Sequence, residues 1–328
     1  MSGSVLVYDQ EDVRAALAMP ALIDACADAF AAYSSGRAAL PSVIHLDLED
    51  HHAEVHVKAG YVLGGAHWAL KVASGFPGNA ARGLPNSDGM VVVFDATTGA
   101  PAAFILDHGF LTDARTGAAG GVAARFLAPR RIGKVAVIGT GAQARFQLDA
   151  LATERSGFDE VHVWGRSRDR AAACASELSQ RPGLPKARYR RVDSVEEAVR
   201  DADLVITCTA SRAPLVRSDW IKGGCHITAV GSDGVGKQEL DPMLLVRANR
   251  LVVDSREQCG RLGELQHALA AGLVSAQQAV ELGEIVSGSR TGRANDDELT
   301  ICDLTGVGVQ DVAAASLVMR RPPRRSVS

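Results

Sequence analysis

Apolar and polar positions follow three successive rhythms along the chain. Between 11 and 36 the apolar residues recur at helical spacing (Val13, Ala16, Leu17, then Leu22, Cys26, Phe30), and Pro20 predicts the first turn of a second helix. From 41 to 107 short β-like runs take over: SVIHLDL, AEVHVKAGYV, HWALKVASGF, MVVVFDA and AAFILD, separated by turn clusters such as EDHH and TTGAP. They predict an antiparallel sheet. LTDARTGAAGGVAARFLAP, at 111–129, is alanine-rich and helical, and Pro129 ends it.

From 134 the pattern changes to strand–helix alternation: KVAVIG, QARFQLDALATER, VHVWG and RDRAAACASELSQ, then DLVITCT, HITAVG, RLVVDS and TICDLT. That alternation predicts a doubly wound parallel sheet. A further apolar helix, VQDVAAASLVMRR, follows it and is expected to pack back on the first domain. The basic, proline-rich end, RRPPRRSVS, reads as a disordered tail.

Composition narrows the partners. A chain of 328 residues has room for two domains. At 47% apolar and 22% charged residues, with a net charge of −3, nothing calls for a nucleic-acid or anionic-membrane partner. No apolar run approaches the roughly 20 residues that span a bilayer. MSGSVLVYDQEDV has no basic segment before an apolar core, so no signal peptide is expected. The six scattered cysteines form no CxxC pair and predict reduced thiols in a cytoplasmic protein.

The glycine-rich turn VIGTGAQARFQ, at 137–147, follows a strand and opens a helix. Gly139 makes the tight turn, Gly141 lets backbone N–H groups approach a pyrophosphate, and Ala144 lets the helix pack closely. Gly139, Thr140, Gly141, Ala142 and Gln143 are therefore candidate dinucleotide contacts at a helix N-terminus. Thr209, Gly231, Ser232, Thr305 and Gly306, near the carboxyl ends of later strands, extend that set. The predicted class is thus α/β: a Rossmann-type doubly wound parallel sheet over 130–307, plus an α+β domain, discontinuous in sequence, formed by 1–129 and 308–328.

The second strand of the parallel sheet selects the cofactor. An NAD site ordinarily ends it with a carboxylate for the ribose 2′-OH. VHVWGRSRDR instead offers Arg166, Ser167 and Arg168, two guanidiniums and a hydroxyl suited to a 2′-phosphate. NADP is expected over NAD, with helix capping by Ser167 or Asp169 as the alternative use of this segment.

KVASGFPGN, LTDARTGAAGGVAARFLA, VIGTGAQA, AVGSDGVGKQELDP and DLTGVGVQD occur in this order. The combination closely resembles the ornithine cyclodeaminase/μ-crystallin family, over nearly the whole chain. The resemblance implies a nicotinamide cofactor and a first domain that binds substrate and forms a homodimer. Lys71 and Arg115 are lone cations in apolar segments and need an anion, either within the protein or on a ligand. The resemblance implies the carboxylate of an amino- or imino-acid substrate. Asp233 sits in a glycine-rich loop after a strand, as a turn residue or a site residue. The resemblance implies that it handles the substrate nitrogen or its proton, so Asp233 and Lys71 are the catalytic candidates.

The chain departs from the family pattern at two places. LPSVIHLDL lacks the arginine that many members carry there, leaving His45 as the nearby polar candidate. VHVKAGY replaces a neutral Met-Pro-Ala, so Lys58 is either a relocated substrate-binding cation or an exposed strand lysine. His52, Glu54 and His56 share one strand face. They match no paired metal-ligand spacing, so a polar hairpin and no metal are expected.

Two enzymatic readings follow from the resemblance. One is an NAD(P)H-dependent imine (ketimine) reductase or amino-acid dehydrogenase acting by hydride transfer at Cα. The other is a cyclodeaminase, a lyase that holds NAD tightly and returns the hydride to its substrate. A third reading is a non-catalytic, μ-crystallin-like NADP-binding protein, against which the joint presence of Lys71, Arg115 and Asp233 argues.

Overall fold

The computed structural model describes residues 5–155, 157–323 and 325–327. The chain opens with β1 (Val5–Asp9), α1 (Gln10–Ala16), α2 (Met19–Ser34), β2 (Ala38–Ala39) and β3 (Ile44–Leu48). Next come β4 (Ala53–Val62), β5 (His67–Gly75), β6 (Ser87–Asp95), β7 (Pro101–Leu106) and α3 (Phe110–Leu127). β8 (Lys134–Ile138), α4 (Ala142–Glu154), β9 (Glu160–Trp164), α5 (Arg168–Gln180), β10 (Arg188–Arg191) and α6 (Val195–Val199) begin the second series. It continues with β11 (Leu204–Thr207), β12 (Arg212–Val216), β13 (His226–Ala229), β14 (Gln238–Leu240), α7 (Pro242–Arg247) and β15 (Arg250–Val253). α8 (Arg256–Leu262), α9 (Leu265–Ala270), β16 (Val280–Glu281), α10 (Leu282–Val286), β17 (Thr300–Asp303), α11 (Gly308–Met319) and β18 (Arg325–Val327) complete the chain. Contacts divide it into two compact units, Met1–Arg115 with Val307–Ser328, and Thr116–Gly306. The division falls within α3 rather than at its carboxyl end.

In the first unit, the strands run in the order β18-β1-β7-β6-β5-β4-β2, with β3 added to β4. β2 to β7 pair antiparallel, as their alternation predicts. Helix α2 buries Leu22, Ile23, Cys26 and Phe30 at helical spacing. Helix α11 is buried on nearly every side, which is why its sequence is apolar all round. It packs on α2 and against β4 and β5. The approach is close: a Cβ at Gly60 would lie 2.8 Å from the Gly308 carbonyl carbon, so neither position accepts a side chain.

One segment carries no predicted element, and another departs from expectation. VLVYD forms β1, which joins the sheet parallel to β7. The tail is not wholly disordered, because β18 pairs antiparallel with β1. An edge strand carries a row of open N–H and C=O groups, and the tail satisfies that demand despite its composition. Residues 1–4, Arg324 and Ser328, on which parts of the N-terminal and tail expectations rest, lie outside the described residues.

The second unit is a Rossmann-type parallel sheet of eight strands, in the order β10-β9-β8-β11-β13-β17-β15-β16. Its first five strands follow the 3-2-1-4-5 order of doubly wound folds. β17 then inserts between β13 and β15. β11, β13 and β17 are buried along their whole length, as strands covered on both faces must be. Alternate residues of β8 feed separate cores: Ala136 and Ile138 join one with Val253 and Ile301, while Val135 and Val137 join another with Leu148 and Leu178. β12 and β14 form a separate two-stranded sheet. Among the described residues no single helix is long and apolar enough to cross a membrane.

Candidate active site

In the second unit a cavity of about 540 Å³ opens beyond the carboxyl ends of β8 and β11. Strand order reverses between these two strands, which is where doubly wound sheets bind ligands. Gly139, Thr140 and Gly141 line one side, and Cys208 to Ser211 line the other. Gly139 adopts φ 132°, and a Cβ there would come within 2.6 Å of the Cys208 carbonyl oxygen, so the turn requires glycine. Gly141 caps α4 without a side-chain hydrogen bond, and a Cβ there would meet nothing within 4 Å. The backbone is thus open where a pyrophosphate would approach. Ala142 and Gln143 form the first turn of α4, and Gln143 accepts a hydrogen bond from Gln147 at 3.2 Å. These residues fit a dinucleotide.

The tip of β9 is only partly as expected. Arg166 and Ser167 line the cavity, together with Arg170. Arg168 does not line it; its guanidinium meets Asp193 at 2.7 Å on the surface. Ser167 also caps α5, its Oγ accepting the Arg170 N–H at 3.3 Å. Among the described residues no Asp or Glu lines the cavity.

Thr209 and Gly231 are tied together by a residue the sequence reading did not single out. Glu239, fully buried, accepts the Thr209 N–H at 2.6 Å and the Gly231 N–H at 2.9 Å. Burial pushes its carboxyl up to about 7, against the pull of those hydrogen bonds. Ser232 Oγ donates to the Lys237 carbonyl at 2.7 Å. Asp254 plays a similar part for Thr305 and Gly306, accepting from the Thr305 hydroxyl at 3.0 Å and the Gly306 N–H at 2.6 Å. Asp233, 41% exposed at its side chain, is met by the Lys237 ammonium at 2.8 Å, one helical turn's spacing later.

In the first unit the structure brings Lys71 and Arg115 together on one carboxylate. Asp311, on α11, lies 3.1 Å from the Lys71 ammonium and accepts from Arg115 Nε at 2.9 Å. All three are almost inaccessible. Gln310 accepts from Arg115 Nη1 at 3.4 Å. Lys58 is buried rather than exposed, and stands directly opposite Lys71 in the β4–β5 ladder. Burial, reinforced by Arg115 and Lys58 against the pull of Asp311, lowers the Lys71 ammonium to about 7. Burial raises the Asp311 carboxyl, but Arg115, Lys71 and Lys58 outweigh it and hold the group below its ordinary value. The sequence did carry a signal for Asp311: it is the one charged residue of a largely apolar helix, GVQDVAAASLVM.

His45 stands opposite His56 in the β3–β4 ladder, and the rings meet edge to face at 4.6 Å. His52 occupies a left-handed turn position (φ 49°). His45, not His52, therefore joins Glu54 and His56, with candidate ligand atoms within 4.8 Å of one another.

Residues 4–323 match the ornithine cyclodeaminase/mu-crystallin family. The chain belongs to this family. Family members of similar sequence include an uncharacterized cyclodeaminase of Sinorhizobium fredii, 40% identical over 91% of this chain and 90% of its own. An archaeal alanine dehydrogenase, solved as a dimer with bound NAD, superposes with a TM-score of 0.88 at 33% identity, covering 97% of this chain and 96% of its own. The Δ(1)-pyrroline-2-carboxylate reductase of Thermococcus litoralis, in complex with NADH and L-proline, gives 0.89 at 31% identity over 96% and 97%.

Proposed function

We propose that the protein is a nicotinamide-dependent oxidoreductase. It reduces the C=N bond of a small 2-imino acid, or oxidises the matching 2-amino acid, by hydride transfer at Cα. The observation that carries this reading is that two buried cations, Lys71 and Arg115, share one carboxylate, Asp311. A second negative charge at this place balances the pair, and a substrate carboxylate supplies it. Arg115 presents a planar fork suited to carboxylate, and Lys71 a point charge. Lys71 gains most, since an arriving anion favours the protonated ammonium that burial and Arg115 disfavour. Relatives named alanine dehydrogenase and Δ(1)-pyrroline-2-carboxylate reductase support the reaction class.

When bound, the nicotinamide supplies or takes the hydride. Gly139, Thr140 and Gly141 would hold its pyrophosphate, and Thr209, Gly231, Ser232, Thr305 and Gly306 would extend the contacts. Asp233 donates or accepts the proton on the substrate nitrogen, as a general acid–base group, with Lys237 orienting its carboxylate. NADP is preferred over NAD, because Arg166 and Arg170 stand along the cavity at the tip of β9. The solved neighbours carry NAD and NADH, which supports the nicotinamide cofactor; the NADP preference rests on the two arginines alone. The protein acts as a cytoplasmic homodimer. The neighbour described as a dimer and the six free cysteines support the two parts of that statement.

A cyclodeaminase reading is favoured by the relative bearing that name. Net redox change separates the two. The test is NADPH and NADH oxidation against 2-oxo acids with ammonia or methylamine, preformed cyclic imines, and ornithine. Stoichiometric NADPH consumption with an imine supports the reductase. Ammonia release from ornithine without net cofactor turnover replaces it with the lyase.

A further inference from the structure

The β3–β4 hairpin carries an arrangement that the proposed function does not use, although the sequence offered one of its members, His45, as a substrate candidate. Its ladder sets His45 opposite His56 and Asp47 opposite Glu54. Residues two apart on a strand share a face, so all four side chains project from the same side of this two-strand ribbon. Opposed Cβ atoms in such a ladder stand about 4.5–5.5 Å apart, and like charges placed directly opposite destabilise it. Two carboxylates facing each other beside two facing imidazoles are therefore a poor choice for a bare sheet. They are a good choice around a cation.

Three further observations point the same way. The Nε2 atom of His56 is buried and has no hydrogen-bond partner among the described residues; the nearest carboxylate oxygen, on Glu54, is 3.6 Å away. His45 Nε2 is engaged by Asp47 at 3.0 Å. If that nitrogen carries the proton, Nδ1 is left as a neutral ligand, and Asp47 becomes the carboxylate that fixes the ring, as metal-bound histidines commonly require. The neighbouring strand presents Ala73 opposite His56 and Gly75 opposite Glu54, so small residues flank the cluster on that side.

We propose that His45, Glu54 and His56 form a binding site for a zinc-class divalent ion, with Asp47 orienting His45. Two imidazoles and a carboxylate are the donor set of tetrahedral zinc sites that keep a fourth position for water. Donors at about 2.0–2.2 Å from such an ion lie roughly 3.3–3.6 Å from one another. From separations within 4.8 Å, side-chain shifts of up to about 1.5 Å close the site. The ion ties β3 to β4. That matters because among the described residues β3 pairs with β4 alone, and Ile44 to Asp47 are all exposed.

The test is calorimetric titration of the full-length, EDTA-treated protein with zinc chloride at neutral pH, repeated with cobalt(II) to read tetrahedral visible absorption. One equivalent of zinc is expected. His45→Ala, His56→Ala and Glu54→Gln should each weaken it by at least about tenfold, and Asp47→Asn by less. His51→Ala with His52→Ala should leave it unchanged. Thermal melts of the metal-free variants establish that each is folded, and Glu54→Gln, which keeps its shape, serves if a histidine variant is not. Absence of stoichiometric uptake by the unmodified protein overturns the proposal, as does uptake that persists undiminished in the His45→Ala/His56→Ala double variant.

Discussion

Replacing Asp311 with alanine removes the one carboxylate that, among the described residues, both Lys71 and Arg115 contact, at 3.1 Å and 2.9 Å. Breaking a buried ion pair from one side costs about 3–5 kcal/mol, because the partner charge is left without compensation. Two cations are stranded here, so the upper half of that range is expected, a large part of the 5–15 kcal/mol that holds a typical domain folded. With a urea slope of about 3 kcal/mol per molar, a loss of about 4 kcal/mol moves the midpoint down by roughly 1.3 M. The loss should also depend on pH in a definite direction. In the native protein Lys71 titrates near 7, well below the unfolded 10.5, so this group adds stability as pH rises from about 7 to 10.5. Without Asp311 its folded value falls further, and deprotonation begins at lower pH. The deficit of the variant is therefore larger at pH 5.5 than at pH 8, where Lys71 is mostly neutral in both proteins and Arg115 alone remains uncompensated. Adding Lys71→Met to the variant should recover at least about 1 kcal/mol, the signature of directly coupled sites. The assay is urea unfolding followed by circular dichroism at the two pH values. A deficit below about 1 kcal/mol at both, or strict additivity of the two substitutions, refutes the reasoning.

Arg166→Ala with Arg170→Ala should abolish an NADPH preference of about tenfold or more while barely moving NADH affinity, since a charge-assisted hydrogen bond to a 2′-phosphate is worth about 1.5–3 kcal/mol. Arg168→Ala, removing a surface ion pair with Asp193, should leave the preference intact in the same fluorescence titration. Asp233→Asn should lower turnover by roughly 10²–10⁴ with cofactor affinity unchanged; full activity in the variant would return Asp233 to a turn residue. Glu239→Gln should leave one of the Thr209 and Gly231 N–H groups without its acceptor and cost about 1–3 kcal/mol. Glu239 titrates near 7 when folded against 4.5 ordinarily, so its contribution is fully present below about 4.5 and is lost as pH rises through 7. The Gln variant should lack that part of the decline when urea midpoints are compared from pH 5 to pH 8.

The glycine turn and the strand–helix alternation were legible because the information is local: Gly139 needs its φ whatever lies far away in the chain. Lys71 and Arg115 were legible as buried cations for a similar reason, each standing out in an apolar run. Their shared partner was not, because Asp311 lies 240 and 196 residues further along and only the fold brings it near. At the β9 tip, composition identified arginines but not which ones face the cavity. Helix α5 begins at Arg168, and its first turn carries Arg170 toward the cavity lining and leaves Arg168 beside Asp193. The hairpin misled for a different reason. Counting along one strand joined His52 to Glu54 and His56, whereas the ladder register supplies His45 from the neighbouring strand.

The insertion of β17 between β13 and β15 has a consequence for synthesis. A chain grows from its amino end, yet this interior strand of the second unit's sheet is not made until residues 300–303. The first unit waits longer still, since α11, which packs on α2, β4 and β5 and brings Asp311 to Lys71 and Arg115, begins at Gly308. Domains often fold one after another as they leave the ribosome. Here β13 and β15 must remain open to a strand not yet translated, and two buried cations must await their counter-charge. A nascent chain stalled short of residue 300 thus exposes unpaired edges of β13 and β15 in the second unit's sheet and, in the first unit, the apolar face that α11 covers.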